Sequence, residues 1–373
     1  MKVAIVLGTR PEILKLAPVV RACKRRDIDF SLVHTGQHYS EGLDEVFFET
    51  LDLPTPEYHL DVGSSSHGEQ TGRMLIELEA ILQDLTPDVV VVQGDTNSVL
   101  AGALAASKLD TDLAHVEAGL RSFDREMPEE INRRVTDHVA DFLFAPTEEA
   151  AQNLRNEGLT DERIFVTGNT IVDTVLANRT LAAERSTVLE EHRIDDEEFL
   201  LLTAHRAENV DDRERFEEIL DGVSRFAAEQ EMGVLYPIHP RAKKQLDAFG
   251  LALPPEIHAL EPLGYLQFLA LEDAASLVFT DSGGVQEEAC ILGTPCVTVR
   301  TTTERPETVE NGANVLAGVD ANSIASSARQ MLRADRDWIN PLGDGSAGEQ
   351  IISILTDATD AEGAPVQEVE TDA

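Results

Sequence analysis

Short apolar runs that alternate with amphipathic helical stretches constrain the fold of this chain more than any other sequence feature. Eight runs rich in valine, leucine and isoleucine are predicted to be buried strands: residues 3–7, 89–92, 114–116, 142–144, 200–203, 234–238, 277–279 and 296–299. Helical patterns lie between them, for example at 128–139, 213–229 and 285–292. Continuous apolar strands separated by helices are typical of parallel sheets covered on both faces. The predicted class is therefore α/β, with doubly wound, Rossmann-like sheets.

The length of 373 residues predicts two such domains, because one domain usually holds about 100–200 residues. We predict an N-terminal domain over 1–168 and a C-terminal domain over 169–356, whose last helix packs back on the first domain. The boundary is placed at VTGNTIVDT, because the preceding strand–helix units already suffice for a sheet. Residues 357–373 are acidic and poor in large apolar side chains, which predicts a disordered tail.

The charge of the chain limits its partners. It has 69 acidic and 30 basic residues, a formal net charge of −39. This argues against a nucleic-acid-binding role, which needs a basic surface for phosphate contacts. Lysine is scarce and the acids are spread over the whole sequence, which favours adaptation to high salt over an acidic patch for a basic partner. Concentrated salt would screen the self-repulsion of such a surface.

Hydropathy and cysteine usage predict a cytoplasmic protein with no membrane partner. No run approaches the roughly 20 apolar residues that a membrane span needs. The apolar core at the N-terminus is too short for a signal peptide and is predicted to be the first strand. Cys23, Cys290 and Cys296 form neither a metal-ligand motif nor a redox motif, so no metal is expected.

Ligands of open α/β sheets bind beyond the carboxyl ends of the strands, so polar residues at those ends are site candidates. The first strand runs into GTRPE, where Arg10 places a cation at a helix N-terminus. This position makes sense if an anion binds there, with Lys15 one turn further along; the alternative is a solvated arginine. The segment is neither a Walker A motif nor a dinucleotide fingerprint, which argues against ATP and NAD.

Three carboxylates follow the next strands of this half. Asp95 lies in QGDTN, Glu117 ends a buried strand, and Glu129 precedes Arg133 by one helical turn in MPEEINRR. Carboxylates held close together push their pKa values apart, so one site can supply both an acid and a base. The alternatives are an Asx-turn for Asp95 and a surface ion pair for Glu129 and Arg133.

The second half offers an anion site in VFTDSGGVQEE. Two glycines at a helix start let backbone N–H groups approach a diphosphate, and the helix N-terminus favours negative charge. Glu288, one turn later, suits the hydroxyls of a ribose. His205 in TAHRAEN and Arg305 in RTTTERPE are further candidates for phosphate contacts. The alternative is a well-capped helix with acidic residues in its first turn.

The motifs together resemble a known family. GTRPEILKLAP, VQGDTNSVLAGALAA, HVEAGLRS, MPEEINRR, GNTIVDT, TAHRAEN, DSGGVQEEA and TTERPE occur in this order over about residues 2–350. They are similar to the non-hydrolysing UDP-N-acetylglucosamine 2-epimerases, and HTGQHYSEGLDEVFF and HGEQTGRML resemble the archaeal branch. The resemblance implies two Rossmann-like domains facing across a cleft, as in glycosyltransferase-B-type folds, and a homodimer that needs no cofactor.

The resemblance also implies an activity and its residues. Such enzymes interconvert UDP-GlcNAc and UDP-ManNAc by eliminating UDP to 2-acetamidoglucal and adding it back. The implied catalytic residues are Asp95, Glu117, Glu129, Arg133 and His205. The residues implied to hold UDP are Arg10, Lys15, His205, Phe268, Ser282, Gly283, Gly284, Glu288 and Arg305. Bacterial relatives have a regulatory substrate pocket, for which the nearest candidates are Gln37, His38, Gln70 and Arg73, although TGQHYSEG departs from the bacterial motif.

Two assignments stay open at this point. The residues do not show which carboxylate acts on which face of the sugar. Alternative functions are 2-epimerisation of a related sugar such as UDP-2,3-diacetamido-glucuronic acid, transfer of a glycosyl group from a UDP-sugar, and hydrolytic release of ManNAc.

Overall fold

The structure is a computed structural model that describes residues 1–37, 43–60, 62–63, 65–192, 194 and 198–362. The chain divides into two compact units, Met1–Thr174 together with the segment that starts at Gly343, and Val175–Leu342. The predicted boundaries at 168 and 356 differ from this division. The chain passes from the first unit to the second inside a helix, and its last helix belongs to the first unit.

The first unit contains a seven-stranded parallel sheet. Its strands are β1 (Lys2–Leu7), β2 (Asp29–His34), β3 (Tyr58–His59), β4 (Val89–Gln93), β5 (Asp112–Val116), β6 (Phe142–Ala145) and β7 (Ile164–Val166). Its helices are α1 (Arg10–Arg25), α2 (Leu43–Thr50), α3 (His67–Leu85), α4 (Asn97–Ala106), α5 (Pro128–Val139), α6 (Glu148–Asn156) and the start of α7 (Thr170–Arg185), with a 3-10 turn at Asp161–Arg163. The strand order is β3-β2-β1-β4-β5-β6-β7. The order reverses between β1 and β4, which is where such folds bind ligands.

The second unit repeats this architecture with six parallel strands. They are β8 (Phe199–Thr203), β9 (Gly233–Pro237), β10 (Ile257–Leu260), β11 (Leu277–Thr280), β12 (Cys296–Thr298) and β13 (Asn314–Leu316). The helices are α8 (Val188–His192), α9 (Ala207–Val210), α10 (Arg213–Gln230), α11 (Pro240–Phe249), α12 (Tyr265–Ala274), α13 (Gly283–Leu292), α14 (Pro306–Glu310) and α15 (Ala321–Leu332). The order β10-β9-β8-β11-β12-β13 reverses between β8 and β11. Two Rossmann-like units are thus confirmed.

The cores explain why the apolar runs predicted the strands well. Val89, Val90, Val91 and Val92 of β4 are each at most 1% exposed, because the sheet is covered on both faces. All eight predicted strands are present, with ends within two residues of the predicted ones. Within the described ranges, the helices are too short or too polar to cross a bilayer.

The predicted tail is wrong over its first six residues, because the last helix, α16 (Ala347–Glu362), continues through them. Ile351, Ile352 and Leu355 anchor this helix in the core of the first unit. The hydroxyl groups of Thr356 and Thr359 donate to the carbonyl oxygens of Ile352 and Leu355, both at 2.8 Å, within the helix. The remainder of the predicted tail, 363–373, lies outside the described residues.

Candidate active site

The loops after β1 and β4 are joined by a buried carboxylate, that of Glu12. Its Oε2 accepts hydrogen bonds from the backbone N–H groups of Gly8 at 2.5 Å and Thr9 at 3.0 Å, and its Oε1 accepts from Thr96 Oγ1 at 2.5 Å. Burial raises the pKa of Glu12 to about 7, although these hydrogen bonds lower it. Arg10 stays exposed at the start of α1, with its guanidinium carbon 6.0 Å from the ring centroid of Phe47.

Glu117 is the most constrained of the predicted catalytic residues. It follows β5 with a φ of +69°, a left-handed conformation that costs a non-glycine residue about 1–3 kcal/mol and is typical of functional sites. Lys15 Nζ lies 2.5 Å from Glu117 Oε1, Asn169 Nδ2 donates to the same oxygen at 3.4 Å, and Gln93 Nε2 donates to Oε2. Lys15, predicted to contact UDP, therefore contacts a predicted catalytic carboxylate.

Asp95 forms an ion pair with Arg133, another of the predicted catalytic residues. Arg133 Nη2 forms a short ion pair with Asp95 Oδ2, and Asn132 Nδ2 donates to the Asp95 carbonyl oxygen at 2.9 Å. A Cβ atom added at Gly94 would lie 3.9 Å from Glu117 Oε2, so the Asp95 turn lies against Glu117. Each of the two carboxylates therefore has a cationic partner, Lys15 for Glu117 and Arg133 for Asp95.

The expected pair of Glu129 with Arg133 is wrong. Arg133 Nη1 contacts Glu130 Oε2 at 2.9 Å, and Arg134 contacts Glu130 Oε1 at 3.0 Å. Glu130 turns inward because the backbone N–H and the hydroxyl of Ser122 donate to it at 2.9 and 3.0 Å. Glu129 has an exposed side chain, and its catalytic role stays a prediction.

In the second unit, the buried carboxylate of Asp281 orients His205. Asp281 accepts from the backbone N–H groups of His205 and Arg206 and lies 2.9 Å from His205 Nδ1. Burial raises the pKa of Asp281, but the hydrogen bonds and the charge of His205 outweigh it, so the pKa is lowered. An ionised Asp281 fixes the proton on Nδ1.

A cavity of about 240 Å³ opens beside this histidine. Its lining includes His205, His239, Phe268, Ser282 and Val285. The structure thus brings together three residues predicted for UDP binding, including Phe268, whose position no sequence pattern indicated. Burial and then the nearby His205 lower the pKa of His239, whose ring centroid is 5.6 Å from that of His205.

The paired glycines of VFTDSGGVQEE open α13, with Ser282 as the N-cap residue. Neither glycine is required by packing, because a Cβ atom on Gly283 or Gly284 would come no closer than 3.9 Å to a surrounding heavy atom. Their φ angles do not require glycine either. The glycines leave the helix N-terminus open to close approach by a ligand, which suits an anion such as a diphosphate.

The two glutamates that follow the glycines have different partners. Glu287 is buried and its Oε1 lies 2.5 Å from Arg305 Nε, so a residue predicted for UDP binding is paired within the protein. Glu288 is 8% exposed and lies against the fully buried Glu272. Burial, and then the charge of Glu288, raise the pKa of Glu272 well above its ordinary value, so the neutral form of Glu272 is favoured.

The comparison with known proteins agrees with this arrangement. A family model described as UDP-N-acetylglucosamine 2-epimerase matches residues 21–356. The chain belongs to this family. A UDP-N-acetylglucosamine 2-epimerase from Methanocaldococcus jannaschii is 54% identical over 362 residues, which cover 95% of this chain and 99% of that protein.

A solved structure and one further relative refine the position of this epimerase-family chain. The crystal structure of the Methanocaldococcus jannaschii UDP-GlcNAc 2-epimerase in complex with UDP-GlcNAc and UDP matches with a TM-score of 0.85 at 54% identity, covering 95% of this chain and 99% of that one. A UDP-2,3-diacetamido-2,3-dideoxy-D-glucuronate 2-epimerase from Pseudomonas aeruginosa is 43% identical over 359 residues, 95% of this chain and 99% of that protein.

Three of the four candidate regulatory residues of this family member have polar partners within the first unit. Gln37 Oε1 accepts from the backbone N–H and the hydroxyl of Ser98 at 2.8 and 2.7 Å. Gln70 Nε2 donates to the Gly63 carbonyl oxygen at 2.8 Å, and Arg73 forms an exposed pair with Glu69. His38 lies outside the described residues. A regulatory role for these residues stays a prediction.

Several residues of the site were not found by sequence reasoning. Glu130, Gln93 and Asn169 contact predicted catalytic groups, and Asp281 holds His205. Asp281 carried the same signal as Glu117, a carboxylate that ends a buried strand, where an unpaired charge is costly. Which glutamate of α5 points inward, by contrast, depends on the contact between Ser122 and Glu130, which the hydrophobic periodicity of the sequence does not show. Within the described ranges, no three His, Cys, Asp or Glu side chains are grouped as metal ligands.

Proposed function

We propose that this chain is a non-hydrolysing UDP-N-acetylglucosamine 2-epimerase that interconverts UDP-GlcNAc and UDP-ManNAc. The observation that carries the proposal is the strained Glu117 carboxylate, paired with Lys15 and adjacent to the Asp95–Arg133 pair at the strand ends of the first unit. Two neighbouring carboxyl groups suit a reaction in which one group removes a proton from one face of a carbon and another, carrying a proton, delivers it to the opposite face. Relatives that carry the activity name span almost the whole chain.

The mechanism begins with departure of the diphosphate. The C1–O bond to UDP breaks with its electron pair going to the oxygen, and a carboxylate removes the C2 proton. The C2–H electron pair then forms the C1=C2 bond of 2-acetamidoglucal. Protonation of C2 on the opposite face and attack of the UDP oxygen on C1 complete the exchange. Asp95, Glu117 and Glu129 are the proposed proton-transfer groups, and Arg133 holds Asp95.

The second unit is proposed to bind the nucleotide. The open N-terminus of α13 and His205 would stabilise the negative charge that develops on the departing diphosphate, an effect that can supply several kcal/mol. Phe268 would lie by the uracil and Glu288 would accept the ribose hydroxyls. Of the remaining candidates, Arg10 suits a phosphate, whereas Lys15 and Arg305 would have to exchange carboxylate partners for UDP.

A second candidate is 2-epimerisation of UDP-2,3-diacetamido-2,3-dideoxy-D-glucuronate. It is favoured by the 43% identity to a relative of that name, because the chemistry at C1 and C2 would be the same. Such a substrate carries an additional carboxylate, so its recognition would require a further basic side chain.

The setting of the enzyme is also a proposal. We propose a cytoplasmic homodimer of a salt-adapted organism that supplies UDP-ManNAc for polysaccharide biosynthesis. Its scarce lysine and net charge of −39 support the salt adaptation.

The experiment is proton NMR of the purified protein with UDP-GlcNAc in heavy water containing molar KCl. UDP-ManNAc that carries deuterium at C2 is the expected product. Glu117→Gln, which keeps the shape and removes the charge, should lower kcat by roughly 10²-fold or more. Free UDP together with ManNAc would indicate hydrolysis. Turnover of the glucuronate substrate without any reaction of UDP-GlcNAc would favour the second candidate. Full activity of the Glu117→Gln variant would contradict the proposed role of Glu117.

A further inference from the structure

His115 is a fully buried histidine of β5 that the proposed mechanism does not use. Its Nδ1 lies 2.7 Å from Asp137 Oδ1 on α5, and its Nε2 lies 2.8 Å from the carbonyl oxygen of Gly94. Both partners belong to the first unit. Gly94 immediately precedes Asp95, and its φ of +85° forms the turn that ends β4.

Both ring nitrogens of His115 face groups that accept hydrogen bonds. A carbonyl oxygen cannot donate, so Nε2 must carry a proton. Asp137 Oδ2 lies 2.7 Å from Arg121 Nη2 and accepts from the backbone N–H of Gly119 at 3.3 Å. Burial raises the pKa of Asp137, but the charges and hydrogen bonds of His115 and Arg121 outweigh it, so the pKa is lowered. Arg121 and the Gly119 N–H favour the ionised form of Asp137 independently of His115. An ionised carboxylate accepts only, so Nδ1 carries a proton as well.

A series of ion pairs also connects Asp137 to Asp95. Arg121 binds Glu157 with two hydrogen bonds at 2.9 and 2.7 Å. Arg134 bridges Glu157 at 3.2 Å and Glu130 at 3.0 Å. Glu130 contacts Arg133, which pairs with Asp95. We term this closed series of contacts the ion-pair ring. Its members, in order, are Asp95, Arg133, Glu130, Arg134, Glu157, Arg121, Asp137 and His115, and the Gly94 carbonyl oxygen joins His115 back to Asp95.

We propose that His115 is a positioning residue, a doubly protonated imidazolium that closes the ion-pair ring and fixes the turn carrying Asp95. With this charge, the ring alternates four carboxylates with four cations. The role of Asp95 as a reacting group rests on the proposed function, whereas the protonation of His115 does not. Gly94 also follows Gln93, which donates to Glu117, so movement of the turn would displace both carboxylates.

The first test is a long-range proton–nitrogen NMR spectrum of the full chain labelled with ¹⁵N-histidine, without ligand, at pH 7.5 in KCl. One histidine is expected to show two ring N–H protons that exchange slowly, because its side chain is 0% exposed. Both signals should be absent from His115→Gln. A single ring N–H for this residue in the wild-type protein would overturn the proposal, whether or not the variant folds.

The second test separates positioning from simple structural support. His115→Gln keeps an amide group that can donate but loses the charge, and kcat for UDP-GlcNAc is expected to fall roughly 10–100-fold because the carboxylates are misplaced. KM should stay near the wild-type value, because no ring member is proposed to bind UDP. The control is His138→Gln, an exposed histidine next to Asp137 on the same helix. Unchanged kcat in His115→Gln would overturn the positioning role; inactivity of the wild-type enzyme would overturn the proposed function alone.

Discussion

Two buried carboxyl groups of the second unit show how surroundings decide charge. Asp281 is surrounded by backbone N–H groups and His205, so its carboxylate form is stabilised. Glu272 on α12 is equally buried, but it faces the carboxylate of Glu288, so its neutral form is stabilised. A neutral Glu272 can donate a hydrogen bond to Glu288, the residue proposed to hold the ribose. Charge at a buried position therefore follows from the partners and cannot be assigned from residue type.

This difference makes Glu272 a pH-dependent cost to folding. Its pKa is raised in the folded protein, so from about pH 4.5 upward the unfolded chain ionises while the folded one keeps the proton, and stability falls as pH rises. Glu272→Gln never ionises. The melting temperature of the variant minus that of the wild type should therefore increase from pH 4.5 to pH 7.5. The increase should be about 2–4 °C for each kcal/mol of folding free energy that the wild type loses over this range. Calorimetry in molar KCl measures this, with the exposed Glu310→Gln as the charge-matched control. A difference in Tm that is the same at both pH values would show that Glu272 titrates normally.

At the scale of helices and strands, the sequence predicted elements whose burial is continuous and missed those whose burial is mixed. The valines of β4 were predictable because every side chain is buried. β2 mixes exposed and buried residues, and β3, β7 and β13 have only two or three residues, too few for any periodicity. The site followed the same division. Strand-end residues such as Asp95 and Glu117 were predictable, whereas the choice of Glu130 over Glu129 depends on a tertiary contact.

Two glycines on helices of the first unit should respond oppositely to the same substitution. A Cβ atom at Gly348 of α16 would lie 2.7 Å from the carbonyl carbon of Pro18 in α1, whereas one at Gly72 of α3 would meet nothing within 4 Å. Gly348→Ala should therefore lower the free energy of unfolding by about 1–3 kcal/mol through overpacking. Gly72→Ala should raise it by about 0.5–1 kcal/mol through backbone entropy. Urea unfolding compares the two, and a stabilising Gly348→Ala would mean that α16 does not pack closely on α1.

At the scale of the whole molecule, charge opposes folding unless salt screens it. The net charge of −39 repels itself at neutral pH, and the screening length falls from about 10 Å at 0.1 M salt to about 3 Å at 1 M. The melting temperature at pH 7.5 should therefore rise steeply with KCl over this range. At pH 5, close to the isoelectric point of about 4.4, the net negative charge is smaller, because a fraction of the carboxylates is protonated and histidines gain positive charge, so the rise should be smaller. Thermal melts across KCl concentration at the two pH values measure the difference. Equal slopes would instead attribute the salt effect to strengthened apolar burial, which does not depend on net charge.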